Sequence, residues 1–83
     1  MRQQAANQRK PLQNRIGKLE KEIATLEAEK AQLDATIADP ASYEAEHKTR
    51  LIETIRRQGE VVAKLAATEV EWMMAQEELE AIA

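Results

Sequence analysis

Residues 12–43 read LQNRIGKLEKEIATLEAEKAQLDATIADPASY, and the apolar positions in this stretch decide the fold. Leu12, Ile16, Leu19, Ile23, Leu26, Leu33 and Ile37 fall alternately four and three residues apart around Lys30. That is the period of a helix presenting one stripe to another helix. Leucine fills every d position, and Ile16, Ile23, Lys30 and Ile37 fill a. The spacing predicts a helix over about residues 12–38. Pro40 then drives Asp39 out of the α region and gives a continuing helix no backbone donor. Asp39 is also a good N-cap with proline at the first helical position, so Pro40 to Glu44 are expected to form a short helical turn.

Downstream, a second four-three pattern runs through Leu51, Ile55, Gln58, Val62, Leu65, Glu69, Trp72, Gln76 and Leu79. Ile52, Val61, Ala66, Met73 and Ile82 widen its apolar face at flanking positions. Gly59 weakens the helix by about 1 kcal/mol relative to alanine. The second helix is placed at about residues 46–81, after an Asp-Pro turn over about 39–45. Residues 1–10, ahead of Pro11, read as a linker or frayed end, which leaves 11–83 as the structured domain. The expected core is Leu12, Ile16, Leu19, Ile23, Leu26, Leu33 and Ile37 against Leu51, Ile55, Val62, Leu65, Trp72 and Leu79.

Composition agrees with this reading. Ala, Glu, Lys, Arg and Leu make up 47 of 83 residues, the signature of a coiled coil or long helix. A chain this short buries little surface, so elongated helices are more plausible than a compact core. Without cysteine and with one histidine, thiolate catalysis, disulfides and Cys- or His-rich metal sites are excluded. An enzyme is not expected, since no paired acid and base fall in a plausible pocket. No apolar run approaches the roughly 20 residues a membrane span needs, and a cytoplasmic protein is expected.

Two helices could close into an antiparallel hairpin, or four leucines seven apart could zip two parallel chains. Charge distinguishes them. Residues 1–18 carry five basic and no acidic groups, 19–46 two and eight, 47–64 five and two, and 65–83 none and five. Folding back at residues 39–43 sets the acidic tail beside the basic head and the basic third block beside the acidic second. A parallel dimer would oppose Glu22 to Glu27 and Glu29 to Asp34, with only Arg15 to Glu20 favourable. The reading is therefore all-α, an antiparallel two-helix coiled-coil hairpin. Its expected register pairs Ile16 with Trp72, Ile23 with Leu65, Leu26 with Val62, Leu33 with Ile55 and Ile37 with Leu51. Lys30 then meets Gln58, which avoids burying an unpaired charge.

Arg50, Arg57 and Lys64 recur every seven residues off the seam, about 10.5 Å apart, with Arg56 beside them. Arg2, Arg9, Lys10, Arg15 and Lys18 form a second basic cluster. Such rows can follow a nucleic-acid backbone by charge alone; they can equally be a solvated face balancing Glu27, Glu29 and Asp34. Ala63, Ala67, Val70, Met74 and Ala81 trace a second stripe on the far side of helix two. It reads either as a docking face or simply as good helix formers. His47 reads as a surface residue, and Tyr43 and Trp72 as packing residues at opposite ends of the hairpin.

The ordered features, residues 12–43 followed by EVEWMMAQEELE at 69–80, resemble the C-terminal coiled-coil domain of bacterial ABC-F ATPases, of Uup and YheS type. The resemblance runs from about Arg9 onward and rests on the order heptads, Asp39-Pro40 and Tyr43, heptads, Trp72 and the acidic Glu77, Glu78 and Glu80. It implies the tail of a protein with two tandem ATP-binding cassettes. ATP would be the cofactor of that parent and not of this chain, which has no GxxxxGK[ST] phosphate loop. It also implies ribosome and translation association and DNA binding for Uup-type domains. DNA or ribosomal RNA would then meet Arg9, Lys10, Arg15, Lys18, Arg50, Arg56, Arg57 and Lys64. The alternative is a structural interaction module that docks on the parent's own ATPase domains or another protein through the Ala63 to Met74 face. The net charge of −3 sets this chain apart from a strongly basic nucleic-acid binder.

The hairpin reading predicts a monomer. Light scattering on the eluting chain should give a mass near 9.4 kDa, whereas a zipper would give twice that.

Overall fold

The computed structural model describes residues 2–82, with side chains for 6–82. Helix α1 spans Arg2–Ala38 and helix α2 spans Lys48–Ile82. They pack antiparallel as an all-α hairpin of 66 × 14 × 14 Å. Two short 3₁₀ turns, Pro40–Tyr43 and Ala45–His47, join them.

The turn is stitched by the side chains that punctuate the sequence. Asp39 caps the first 3₁₀ turn, its carboxylate accepting from the Ala41 amide at 3.0 Å. The Ser42 hydroxyl donates to the Thr36 carbonyl at 2.7 Å, and the Tyr43 hydroxyl to the Ile37 carbonyl at 2.9 Å. These carbonyls belong to the last turn of α1, where intrahelical donors run out; that of Thr36 also accepts from the Asp39 amide at 3.3 Å. Tyr43 is thus a tie and not a packing residue, with 61% of its surface exposed.

Helix α1 begins ten residues earlier than the spacing predicts. Arg2 to Lys10, read as a linker or frayed end, continue the helix through Pro11. Proline forfeits one backbone hydrogen bond. The segment contains alanine, glutamine and arginine without glycine, and extending a helix already nucleated downstream avoids the nucleation cost.

The core follows the leucine ridge of α1. Ile16, Leu19 and Leu26 are buried; Leu12, Ile23, Leu33 and Ile37 are half-buried. On α2 the seam runs Leu51, Thr54, Gln58, Val61, Leu65, Thr68, Trp72, Ala75, Leu79 and Ile82, with Val61, Thr68 and Ala75 buried. Every second position therefore lies one residue earlier than expected. Ile55 and Val62 are 47% and 43% exposed, which corrects their assignment to the core. The expected phase would have put the Glu69 carboxylate on the seam, at a desolvation cost that Thr68 avoids. The Thr54 and Thr68 hydroxyls instead bond back to the Arg50 and Lys64 carbonyls at 2.8 and 2.7 Å.

Register shifts with phase. Trp72 and Leu79 pack against the buried cluster of Ile16, Leu19 and Ala75. The Leu26–Val62 and Leu33–Ile55 pairs are replaced, because Val62 and Ile55 leave the seam. Gln58 donates to Asp34 at 2.6 Å rather than meeting Lys30 directly, and Lys30 reaches the other oxygen of Asp34 at 2.7 Å. The Trp72 indole N–H is enclosed with no acceptor among the described residues, an omission that costs about 1–3 kcal/mol.

Two substitutions should move stability in opposite directions. Gly59 has open space where a Cβ would stand, so Gly59→Ala should gain about 1 kcal/mol in urea unfolding. Tyr43→Phe, which removes only the tie to Ile37, should lose about 1 kcal/mol.

Candidate nucleic-acid interface

The hairpin has two long sides, and charge is divided between them. On one side Arg57 crosses from α2 to Glu29 on α1, donating through Nη2 at 2.6 Å and Nε at 2.9 Å. Its Nη1 reaches Glu60 at 3.3 Å. The hydrogen bond to Glu29 is the main reason its guanidinium holds its proton more firmly than an isolated arginine, with the charge of Glu29 next. Arg56, further out, is clamped between Glu53 at 2.9 Å and Glu60 at 2.5 Å. It too is raised, chiefly by its bond to Glu53.

Heptad steps from the Glu29–Arg57 pair extend the register along this side. One step brings Lys64 level with Glu22, and two bring Glu71 level with Arg15. The row Arg50, Arg57 and Lys64 therefore runs beside carboxylates of its own hairpin. Arg57 and Arg56 are committed to internal pairs, and only Arg50 and Lys64 of that group have no ion pair among the described residues.

The outer face of α1 is different. Lys10, Lys18 and Lys21 lie within about a quarter-turn of one another at 100° per residue, with Asn14 between them. All are exposed, and none has an ion pair among the described residues. The sequence reading missed Lys21 because it sits in the net-acidic block 19–46. Its spacing was the available signal, since eleven residues from Lys10 is three full turns. Arg15 lies at the edge of this face and Arg9 is half-buried nearer the seam. The side chain of Arg2 lies outside those described.

Elsewhere, the turn gathers titratable side chains. Glu44, Glu46 and His47 bring one ligand atom each within 4.8 Å of one another at the turn, with both glutamates exposed. His47 Nε2 stands 3.8 Å from Glu46. Ala63, Ala67, Val70 and Met74 occupy the back of α2, exposed as the sequence places them.

Residues 8–81 match the model of the family described as the ABC transporter C-terminal domain. The chain belongs to this family. No curated protein and no solved structure matches it. The match makes this chain the C-terminal domain of an ABC-F type ATPase, a domain without the cassette motifs. No helix among its described residues is long and apolar enough to cross a membrane.

In this ABC transporter C-terminal domain the Lys30–Asp34–Gln58 group is the polar tie across the seam. The Lys30 hydrogen bond, followed by that of Gln58, holds the Asp34 carboxyl below its ordinary 3.8. A carboxyl whose pKa is depressed by folding lends stability above its unfolded value and loses it as pH falls through the folded one. The urea midpoint should therefore decline as pH drops below about 3.8, and Asp34→Asn should flatten that decline while lowering the midpoint at neutral pH.

Proposed function

We propose that this C-terminal domain gives its ABC-F type ATPase a contact with nucleic acid, DNA or ribosomal RNA, along the outer face of α1. Lys10, Lys18 and Lys21 meet successive phosphates, Asn14 offers its amide between them, and Arg15 and Lys64 stand at the edge, while Arg50 lies apart near the turn. The observation that carries this reading is the difference in commitment: these lysines are exposed without ion pairs among the described residues, whereas Arg56 and Arg57 are held by Glu53, Glu60 and Glu29. With a net charge of −3, attraction to a polyanion has to be local, and it falls on this face. The resemblance to Uup-type domains supports the same partner class.

Recognition on such a face is electrostatic. Lysine ammonium groups neutralise phosphates and release counterions without reading base edges. The two aromatic residues, Tyr43 and Trp72, stand at the turn and on the seam and build no stacking platform on α1. ATP binding and hydrolysis we assign to cassettes outside this sequence, since the chain has no phosphate loop of the GxxxxGK[ST] kind.

A second reading, docking on the parent's own ATPase domains, draws on Val70 and Met74, which are 55% and 56% exposed. Val70→Glu with Met74→Glu separates the two, because nucleic-acid affinity persists while association with the cassettes is lost.

Titrating labelled duplex DNA and structured RNA across roughly 50–200 mM salt tests the first reading. Three phosphate contacts give a slope of log K against log salt of about −3. Substituting Lys10, Lys18 and Lys21 with Glu should abolish binding, and Arg56→Glu should leave it unchanged. Absence of binding at the lowest salt would overturn the reading.

A further inference from the structure

The side of the hairpin opposite the Glu29–Arg57 pair carries a groove of about 440 Å³. Ile23, Ala24, Trp72 and Met73 line it as an apolar floor, and Glu20, Glu27 and Glu69 stand at its rims. None of these three carboxylates has an ion pair among the described residues. The floor continues towards the turn along the same edge of α2 through Ala66, Val62 and Ile55. Met73, Val62 and Ile55 are 54%, 43% and 47% exposed. These are large side chains that the phase of the seam pushes out of the core.

Two features define what fits. The positions Ile55, Val62, Ala66 and Met73 step by seven, four and seven residues, so the floor has helical periodicity over about 27 Å. A helix laid beside α1 and α2 would complete a three-helix bundle with the same ridge spacing. Covering the floor also draws the rim carboxylates out of water, which is favourable only if the incoming surface brings cations to them. A second copy meeting this face through its own would set carboxylate against carboxylate, and a polyanion would be repelled.

We propose that this groove docks a cationic amphipathic helix of a protein partner, its apolar stripe on Ile23, Val62, Trp72 and Met73 and its Lys or Arg residues on Glu20, Glu27 and Glu69. The partner side and the lysine face of α1 then serve different ligands, since one is acidic and apolar and the other basic.

Trp72 is the only tryptophan and lines the groove, so its emission reports occupancy. The probe is a synthetic amphipathic Leu/Lys helix without Trp or Tyr, beside a peptide of identical composition whose leucines do not share a face. The amphipathic peptide should shift Trp72 emission saturably and bind at least tenfold tighter than its scrambled counterpart. Met73→Glu adds negative charge, which by charge alone would strengthen binding to a cationic peptide; here it should weaken binding tenfold or more, with far-UV circular dichroism unchanged. Glu20→Lys with Glu27→Lys should weaken it similarly, whereas Glu71→Lys, on the other side, should not. Equal binding of both peptides, equal effects of Glu27→Lys and Glu71→Lys, or no binding would each overturn the proposal. So would a dimeric mass for the chain alone that Met73→Glu returns to a monomer, which would give the groove to a second copy.

Discussion

The leucine ridge of α1 constrains everything else: whatever faces it on α2 has to be both neutral and small enough to let the helices approach. Val61, Thr68 and Ala75 meet that requirement and are buried, while Leu65 and Trp72 fill the space between them. The alternative phase exchanges Thr54 for the apolar Ile55 and Val61 for Val62, but carries Glu69 and Gln76 with them. Since Val62 would only replace Val61, the exchange buries one more apolar side chain, Ile55 for Thr54, a gain of about 1.5–3 kcal/mol. Desolvating a carboxylate without a cation costs several kcal/mol. The hydroxyl of Thr68, by contrast, is satisfied within its own helix.

That choice of phase distributes the surface. Turning α2 to bury Val61 and Ala75 leaves Ile55, Val62 and Met73 on one long side, next to the acidic row Glu20, Glu27 and Asp34 of α1, which repeats every seven residues. The same rotation sets Arg50, Arg57 and Lys64 on the other side, next to Glu22 and Glu29. An antiparallel pair with heptads on both strands keeps such rows in register over its length, so one ion pair, Glu29–Arg57, locates the others. The net charge of −3 therefore describes neither side. One is apolar and acidic. The other is balanced between the helices, with its excess of positive charge on the outer face of α1.

Much of this was legible in the sequence. The heptads, the Asp39-Pro40 stop and the charge blocks specify two helices, a turn and an antiparallel arrangement, because each depends on local chemistry or on sums over many residues. The phase of α2 was not legible from apolar identity alone. Choosing Ile55 and Val62 over Thr54 and Val61 ranks side chains by hydrophobicity, whereas packing ranks whole faces by their worst member, here Glu69. The start of α1 was hidden for a related reason. Pro11 signals a break when read alone, yet a helix extending back from a packed segment tolerates one missing bond. For the basic row of α2 the sequence leaves open a nucleic-acid contact or a face balancing Glu27, Glu29 and Asp34; the partners of Arg56 and Arg57 prove to be three, four or 28 residues away, and the last of these depends on register.

Register also explains why the basic head of α1 remains available. A heptad step back from the Ile16–Ala75 contact brings Arg9 level with Ile82, so the described part of α2 ends where the lysine face begins. The acidic block of α2, Glu77, Glu78 and Glu80, is level along the axis with the start of that face but does not cross it, because the face points away from α2. Opposite charges attract the two helices into an antiparallel pair without cancelling the cations that face outward. At the Debye length of about 8 Å in physiological salt, a carboxylate on the far side of a 14 Å wide hairpin is largely screened from those lysines. An acidic domain can in this way carry a locally basic face.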